Sequence, residues 1–383
     1  MGRSRLIDHH AERREAQSVW VDSEVGMTAR PVRMAVVPGD GIGREVVAEV
    51  IRLAEALRSA GSLLASWDEL DWGADRFLAT GRALPPDGFQ RLRAFDAILA
   101  GAFGDPRVPD AEYMREILFG MRVELDLYIN LRPVRCIDER LNPLKHVRAS
   151  DIDLVIVREN TEGLYCGAGG LVRPNSVHEM ALQEMVVTRR CVERIVRAAF
   201  EVASTRPRRK VTLVDKGNAL RFAGEVWQNT FRQVAVEFPE VMTEHLYADV
   251  AAMEMVRDPA RFDVIVTENL LGDLLSDLAA MLGGGLGLAA SGNINPGQVS
   301  MFEPVHGSAP DIAGRGRACP LAAFGAFALL LRHVHRGDLA GVLEAAIGDV
   351  VRAGTVTPDL GGTSTTAEVG TAVRERTLER LAA

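Results

Sequence analysis

Short apolar segments alternate with amphipathic helical segments along the chain, and this alternation constrains the fold more than any other feature. The segments that read as buried strands are short, apolar and bounded by glycine or polar residues, and they cover 33–38, 95–102, 151–160, 210–216 and 262–269. Helical periodicity is found at 44–61, 189–204, 270–284, 320–334 and 339–354. A last helix is predicted near 366–382, because Thr365 and Glu368 have the spacing of a capping box. This order predicts an α/β fold with largely parallel strands.

Composition and charge argue against several functional classes. The 383 residues carry a formal net charge of −8 with no domain-sized basic face, which argues against nucleic acid as a partner. No apolar run reaches about 18 residues, so no membrane span is predicted. The four cysteines include no C-x-x-C pair, which indicates neither a zinc site nor a disulfide framework. Reduced thiols and a cytoplasmic location are the simplest expectation.

The first 30 or so residues differ from the rest of the chain. They are rich in charge and lack the apolar core of about 7–15 residues that a signal peptide requires. We expect a disordered leader over residues 1–32, or a start codon placed too far upstream. Met27 and Met34 are the alternative starts.

The glycine-rich stretch VVPGDGIGREV, residues 36–46, follows the first predicted strand. A dinucleotide fingerprint requires a third glycine at position 44, where this chain has Arg44. A phosphate loop requires a Gly-Lys-Ser/Thr ending, which is also missing. We interpret the stretch as a strand-to-helix turn in which Gly39, Gly41 and Gly43 let the backbone turn tightly.

Paired carboxylates form the first candidate site. Asp273 and Asp277 are four residues apart in a predicted helix and therefore share one face. Hard divalent cations such as Mg²⁺ or Mn²⁺ prefer oxygen ligands of this kind. Such pairs usually mark a solvated helix face, but the neighbouring leucines favour partial burial, so the two interpretations stand about even. A third acid, Asp249, lies among small and apolar residues.

Three arginines form the second candidate site. Arg122, Arg132 and Arg158 stand in apolar surroundings, where arginine is rare without an anionic partner. Together they would bind a substrate with two carboxylates through bidentate hydrogen bonds. The alternative is three separate structural ion pairs.

Two residues could move protons. Lys216 ends a predicted buried strand, where desolvation would lower its pKa and make it a usable base. Tyr165 lies in a glycine-flanked loop and could act as an acid. Either residue taken alone is more often structural. Lys216, Asn218 and Arg158 follow apolar strands, and ligands of open α/β sheets bind beyond the carboxyl ends of strands.

The segment EPVHGSAPDIAGRG, residues 303–316, is predicted to form a tight loop with free backbone N–H groups. His306 and Asp311 have the polar side chains of this loop that are long enough to contact a bound ligand. A carboxylate at such a place can accept hydrogen bonds from both hydroxyls of an adenine ribose and would repel a 2′-phosphate.

Seven motifs carry a family resemblance. GDGIG, NLRPVR, VRENTEGLY, DKGN, GDLLSDL, EPVHGSAPDIAG and TPDLGGT occur in this order over about residues 33–380. The set resembles the β-decarboxylating dehydrogenases, which act on 3-isopropylmalate, isocitrate, homoisocitrate, tartrate or D-malate. The chain is most similar to the isopropylmalate members.

The resemblance implies an α/β fold of the isopropylmalate/isocitrate dehydrogenase type. That fold is bilobal and non-Rossmann, and its mostly parallel sheet has helices on both faces. A large domain on the cofactor side is expected over 33–127 and 284–383, and a small domain over 128–283. A homodimer is expected, with an arm near 160–188 that clasps the partner.

The resemblance also implies roles for the candidate residues. NAD would oxidise a (2R)-hydroxy acid, which would then lose its β-carboxylate as CO₂. Lys216 of the partner subunit would be the base, and Tyr165 would protonate the enolate. The implied substrate-binding residues are Arg122, Arg132, Arg158, Leu118, Phe119 and Asn218. The implied ligands of Mg²⁺ or Mn²⁺ are Asp273, Asp277 and, from the partner subunit, Asp249. The implied cofactor-binding residues are Glu303, His306, Gly307, Ser308, Ala309, Pro310, Asp311, Ile312 and Cys319.

The choice of cofactor and substrate follows from single positions. Asp311 and Ile312 match the NAD pattern of the family, whereas Cys319 stands where the family usually has asparagine beside the adenine. Leu118 and Phe119 resemble the leucine pair that contacts an isopropyl group, so 3-isopropylmalate is the expected substrate and leucine biosynthesis the expected pathway.

Several alternatives stay open at this stage. Arg115 and Ala219 depart from the isopropylmalate pattern. They keep open tartrate, D-malate, homoisocitrate or another 3-substituted malate as the substrate. A non-catalytic regulatory subunit is disfavoured, because Lys216, Tyr165 and all three aspartates are present.

Overall fold

The computed structural model describes residues 31–108 and 112–383. The predicted leader, 1–32, lies outside the described residues except for its last two positions. The strands are β1 (Val32–Gly39), β2 (Ala65–Glu69), β3 (Ala97–Ala102), β4 (Ile129–Arg135), β5 (Asp153–Glu159), β6 (Gly169–Val172), β7 (Met180–Gln183), β8 (Lys210–Asp215), β9 (Met242–Tyr247), β10 (Val264–Thr267), β11 (Ala290–Ile294) and β12 (Ser300–Pro304). The helices are α1 (Ile42–Ser59), α2 (Ala74–Thr80), α3 (Gly88–Leu92), α4 (Glu112–Glu124), α5 (Arg189–Ser204), α6 (Arg221–Ala235), α7 (Ala248–Arg257), α8 (Asn269–Leu282), α9 (Leu321–His333), α10 (Gly337–Ala353) and α11 (Thr366–Ala382).

One ten-stranded sheet runs through the described part of the chain in the order β2-β1-β3-β12-β11-β4-β5-β10-β8-β9. The strands of β2-β1-β3-β12 are parallel to one another, and so are those of β5-β10-β8-β9. Between these blocks, β11 and β4 pair antiparallel with their neighbours. The predicted α/β fold with a mostly parallel sheet is therefore confirmed, and its centre is antiparallel.

Helices cover both faces of the sheet, because successive strand residues point to opposite sides. In β1, Met34 and Val36 join a core cluster with α1, α9 and α10, whereas Ala35 and Val37 join a second cluster with Tyr113 and Met121 of α4. A third cluster packs α7 and α8 against β5 and β10.

The predicted strands and helices are all found, with ends that agree to within a few residues. Helix α5 has the predicted bounds, and α11 begins with the predicted capping box of Thr365 and Glu368. The central strands β4, β11 and β12 were not predicted. They are short and contain buried polar residues, such as Asn130 and Asn293, that do not read as buried strand.

Strands β6 and β7 form a separate hairpin inside the segment 160–188. All eight strand residues are exposed, including the apolar Leu171, Met180 and Leu182. A lone two-stranded hairpin is marginally stable in water, so packing against another surface would stabilise it.

Within the described residues, no helix is both long and apolar enough to cross a membrane.

Candidate active site

The polar ends of β5 and β10 meet at the start of helix α8. Glu268 caps this helix, since its carboxylate accepts hydrogen bonds from the backbone N–H groups of Leu270 and Leu271 at 2.9 and 2.8 Å. Because β5 and β10 are parallel neighbours, the side chain of Arg158 at the end of β5 reaches the first turns of α8. The helix thus presents its polar face to the strand ends.

Arg158 is the most completely buried charged residue of this region, with 1% of its surface exposed. Its Nε and Nη2 donate to Oδ1 of Asn269 at 3.0 and 2.7 Å, and its Nη1 pairs with Asp273. Gly272 makes room for it, because a Cβ there would lie 2.6 Å from the Arg158 side chain. Burial, and after it the charges of the other two arginines, lower the pKa of Arg158 to about 10.

Arg132 reaches the same helix face from β4. Its Nη1 donates to Ser276 at 2.6 Å and to Asp277 at 3.2 Å, and its Nη2 lies 3.6 Å from Asp273. Burial lowers the pKa of Arg132. Burial raises the pKa of Asp273, but Arg158 and Arg132 outweigh it and lower that pKa below its usual value. Asp273 is therefore a carboxylate that faces two guanidinium groups.

Arg122 completes the arginine cluster from α4. Its Nη2 lies 3.5 Å from the carboxylate of Glu303, and its guanidinium stands 5.5 Å from the ring centre of Phe119. Its buried Nε has no hydrogen-bond partner among the described residues. The structure thus brings together the three arginines that the sequence predicted. The Nε–H of Arg122 still has a hydrogen bond to donate among the described residues.

Tyr165 stands beside this cluster. Its hydroxyl donates to Oδ2 of Asp273 at 3.1 Å, and its ring meets Phe119 edge-on at 6.2 Å between ring centres. Arg158 lies 5.7 Å from the centre of the Tyr165 ring. Burial, and after it the charge of Asp273, raise the pKa of Tyr165. The phenol therefore keeps its proton at neutral pH and can donate it.

Lys216 and Asp249 form a second, separate group. The Nζ of Lys216 donates to Asp249 at 2.7 Å, and Asn218 is exposed nearby in sequence. Among the described residues of one chain, neither Lys216 nor Asp249 forms a hydrogen bond or ion pair with the arginine cluster. The described residues contain no group of three side chains that could hold a metal ion. The aspartate pair on α8 and Asp249 are therefore apart within a single chain.

The glycine turn after β1 packs on the loop that follows β12. Gly41 has a φ of +53°, and a Cβ at this position would lie 2.1 Å from the carbonyl oxygen of Ser308. Next to it, the Ile42 N–H donates to the same oxygen at 2.9 Å. The carboxylate of Glu45 accepts hydrogen bonds from the N–H groups of Gly314 and Gly316. Turn and loop are thus one structural unit.

In the predicted cofactor segment, the side chain of His306 is partly buried and that of Cys319 is fully buried. The Nδ1 of His306 lies 3.0 Å from the Gly307 oxygen, and its buried Nε2 has no partner among the described residues. Burial lowers the pKa of His306, so its ring is neutral. Burial raises the pKa of Cys319 to about 12, so it stays a thiol. Asp311 is exposed on the loop.

Glu303 lies with the arginines rather than with the loop. Its carboxylate contacts Arg122 and accepts a hydrogen bond from Asn293 at 2.8 Å. The predicted cofactor residues from His306 to Ile312 follow it in the loop. Leu118, on the same helix face as Phe119 and Arg122, is half-buried.

Sequence reasoning missed the residue that organises the glycine turn. Asp40 is buried, and its carboxylate accepts hydrogen bonds from the N–H of Ala74 at 2.8 Å, the N–H of Gly104 at 3.0 Å and the hydroxyl of Tyr113 at 2.8 Å. The available signal was the position of Asp40 between two glycines of a tight turn. A carboxylate that becomes buried at such a place needs hydrogen-bond donors around it. Asn130 and Asn293 were also missed, and Asn293 carries no signal in the sequence.

Comparisons with known proteins agree with this geometry. The sequence profile of a family described as isocitrate/isopropylmalate dehydrogenase matches residues 33–373. The chain is 46% identical over 356 residues to a 3-isopropylmalate dehydrogenase of Thermobifida fusca, covering 92% of this chain and 100% of that protein. It is 50% identical over 321 residues to one of Streptomyces coelicolor, covering 83% and 92%.

A solved structure shares the fold at substantial sequence identity. The isocitrate dehydrogenase of Methylococcus capsulatus superposes with a TM-score of 0.82 and 37% identity, covering 90% of this chain and 99% of that one. The family expected from the seven motifs is therefore confirmed: the chain belongs to the isocitrate/isopropylmalate dehydrogenase family.

Proposed function

We propose that this chain oxidatively decarboxylates 3-isopropylmalate to 4-methyl-2-oxopentanoate in leucine biosynthesis, using NAD and Mg²⁺ or Mn²⁺. The observation that carries the proposal is the meeting of three buried arginines with a protonated tyrosine and two carboxylates. Relatives that are about half identical bear the name 3-isopropylmalate dehydrogenase. The reaction, its cofactors and the residue roles are proposed together.

Arg122, Arg132 and Arg158 bind the two carboxylates of the malate in this proposal. A guanidinium stays charged even at the lowered pKa of Arg158, about 10, and can bind a carboxylate through two hydrogen bonds. The Nε of Arg122 is buried and has no partner among the described residues, which supports a ligand oxygen beside it, because a buried donor without an acceptor is costly.

Proton transfers fall to two residues. Lys216 of the partner subunit takes the proton of the C2 hydroxyl while C2 loses its hydride to the cofactor, and C2 becomes a ketone carbon. The bond between C3 and its carboxylate then breaks, CO₂ leaves, and the electron pair forms an enolate. Tyr165 gives its proton to C3, which its raised pKa supports because the phenol is neutral at the working pH.

A divalent cation fits the carboxylates of Asp273 and Asp277. These are hard oxygen donors on one helix face, and their side chains are 34% and 59% exposed, so further ligands have access. Asp249 of the partner subunit supplies a third carboxylate in the proposal. When bound, the cation supplies positive charge that stabilises negative charge on the substrate oxygen.

NAD fits the loop after β12. Within the described part of the chain, the buried Nε2 of His306 has no partner, which supports a ligand atom at that place. The exposed side chain of Asp311 can accept hydrogen bonds from ribose hydroxyls. NAD⁺ held there would supply the hydride acceptor for C2. The backbone from Gly307 to Ile312 and the neutral thiol of Cys319 form the rest of the proposed cofactor site.

A homodimer completes the proposed site. The exposed apolar hairpin at 169–183 is the arm that clasps the partner, and the remote Lys216 and Asp249 then reach the other chain's arginines. The proposed large domain comprises 33–127 and 284–383, and the small domain 128–283. The cytoplasm is the proposed location, in keeping with the unpaired cysteines.

Leu118 and Phe119 form the proposed contact with the C3 substituent. They precede Arg122 by one turn on α4, and Phe119 touches both Arg122 and Tyr165. An apolar wall at this position favours an isopropyl group over a carboxylate. D-malate, tartrate, homoisocitrate and another 3-substituted malate remain the alternative substrates.

NADH formation tests the proposal. The purified enzyme with Mg²⁺ is given 3-isopropylmalate, D-malate, tartrate, isocitrate and homoisocitrate in turn. Fastest turnover of 3-isopropylmalate is expected, whereas faster turnover of a substrate with a charged substituent would refute the substrate assignment. Absence of turnover on all five would favour a regulatory subunit or a different 3-substituted malate as the substrate. Lys216→Ala should lose turnover and keep NAD binding, with exposed Lys145→Ala as the matched control.

A further inference from the structure

A chain of buried hydrogen bonds joins two arginines of the candidate site. Arg132 Nε donates to Oδ1 of Asn130 at 2.9 Å, and Asn130 Nδ2 donates to Oδ1 of Asn293 at 2.8 Å. Asn293 Nδ2 donates to Oε1 of Glu303 at 2.8 Å, and Arg122 Nη2 lies 3.5 Å from that same oxygen. We call the two asparagines and Glu303 the amide relay.

The relay crosses the antiparallel centre of the sheet. Asn130 of β4 and Asn293 of β11 are directly paired in the strand register, and Glu303 lies on the next strand, β12. Both asparagines are 0% exposed, so water cannot replace a lost partner. The antiparallel strands that sequence patterns did not reveal are what bring these groups together.

The relay has a direction. Each amide accepts through its oxygen on the Arg132 side and donates through its nitrogen on the Glu303 side. Turning either amide over would place donor against donor or acceptor against acceptor, which is costly inside a protein. Asn160 reinforces this orientation, since its Nδ2 donates to Oδ1 of Asn293 at 3.0 Å. The relay is therefore locked in one arrangement.

The two ends of the relay differ. Arg132 is held at its Nε by Asn130 and at its Nη1 by Ser276, so it has one fixed orientation. Among the described residues, the polar contact of Arg122 is the long one with Glu303, its guanidinium faces the Phe119 ring, and its Nε is unpartnered. The carboxylate that Asn293 orients is thus the group that aims Arg122.

We infer that Asn130 and Asn293 are positioning residues that fix the mutual orientation of Arg122 and Arg132 for the substrate carboxylates. The inference rests on the proposed function, because it assigns those arginines to the substrate. The asparagines touch neither substrate nor cofactor and act through the two guanidinium groups. Their loss would weaken substrate binding and leave the NAD loop, which begins after Glu303, unaffected.

Alanine variants of the relay test this. Asn130→Ala, Asn293→Ala and the double variant are compared with Ser300→Ala, which removes a buried hydrogen-bonding side chain of β12 that has no contact with either arginine. Each single relay variant should raise KM for the malate about tenfold or more, the loss expected for a hydrogen bond to a charged group. KM for NAD should stay within about twofold.

Non-additivity separates the relay from two independent structural sites. Because the asparagines act as one unit, the double variant should raise KM for the malate no more than the worse single variant. Ser300→Ala should lower the melting temperature without changing that KM. Equal effects of the relay variants on both substrates, or additive effects in the double variant, would overturn the inference.

The controls keep this inference distinct from the proposed substrate. Wild-type turnover of the substrate panel tests the proposed function alone. If a malate other than 3-isopropylmalate is preferred, the substrate assignment fails, and the ratio of variant to wild type on that malate still tests the relay. If Asn293→Ala does not fold, Asn293→Ser and Asn130→Ser, which keep one small polar group, give the same comparison.

Discussion

Arg158 and Asp273 form an ion pair that ties the end of strand β5 to the second turn of helix α8. The pair is unequal, since the Arg158 side chain is 2% exposed and that of Asp273 is 34% exposed. The buried guanidinium of Arg158 therefore needs the carboxylate to offset its charge, whereas the carboxylate of Asp273 can also be solvated by water. Removing the carboxylate leaves a buried charge whose remaining hydrogen bonds, among the described residues, go to Asn269.

Asp273→Asn is expected to destabilise the protein by about 3 kcal/mol, because breaking a buried pair strands the remaining charge. Asp277→Asn is the matched control, since Asp277 is 59% exposed and its pair with Arg132 should be worth at most about 1 kcal/mol. Urea denaturation followed by circular dichroism measures both. An equal loss in the free energy of unfolding for the two variants would contradict the larger contribution of the buried Arg158–Asp273 pair.

Gly41→Ala is expected to disrupt the contact between the glycine turn and Ser308. The new Cβ would meet a backbone oxygen at 2.1 Å, and φ at this position is +53°. Gly61→Ala is the control, because Gly61 also has a positive φ, +71°, but nothing lies within 4 Å of its Cβ position. We expect both variants to lose about 1 kcal/mol from backbone strain. Only Gly41→Ala should also raise KM for NAD, and an unchanged KM would refute the contact's role.

Asp40→Asn is expected to destabilise the protein by more than about 2 kcal/mol. An amide nitrogen in place of one carboxylate oxygen would face the donors that now converge there. Tyr113→Phe removes one of these hydrogen bonds and should cost about 1 kcal/mol. Thermal unfolding compares the two variants, and a larger loss for Tyr113→Phe than for Asp40→Asn would contradict the central role of the Asp40 carboxylate.

His333 predicts a pH dependence of stability. Burial lowers the pKa of His333 from 6.5 to about 4, so the unfolded chain takes up this proton first as the pH falls. The stabilising contribution is therefore complete above about pH 6.5 and lost between about 6.5 and 4, by about 3 kcal/mol at most. His333→Gln, which can keep a donor toward the Gln298 oxygen, should flatten this part of the stability curve. An unchanged curve in His333→Gln would contradict the assignment.

Much of the architecture could be read from local patterns. Helix α5 and the capping box of α11 were predicted with their observed bounds, because amphipathic spacing and a four-residue cap depend on chain neighbours alone. The glycine turn after β1 was likewise read as a strand-to-helix connection. The three arginines and the aspartate pair were identified by residue type and setting, and the structure brings the arginines and that pair together.

Only the tertiary structure decided how these groups are connected. Asn130 and Asn293 are 163 residues apart and meet because β4 and β11 are adjacent and antiparallel. The carboxylate of Asp40 accepts a hydrogen bond from the hydroxyl of Tyr113, which lies 73 residues further along the chain. A sequence pattern records which side chains want burial or a partner, whereas the choice of partner depends on strand order and register. The sequence by itself therefore determined the elements, the family and the candidate residues, and the fold determined which of those residues hold one another in place.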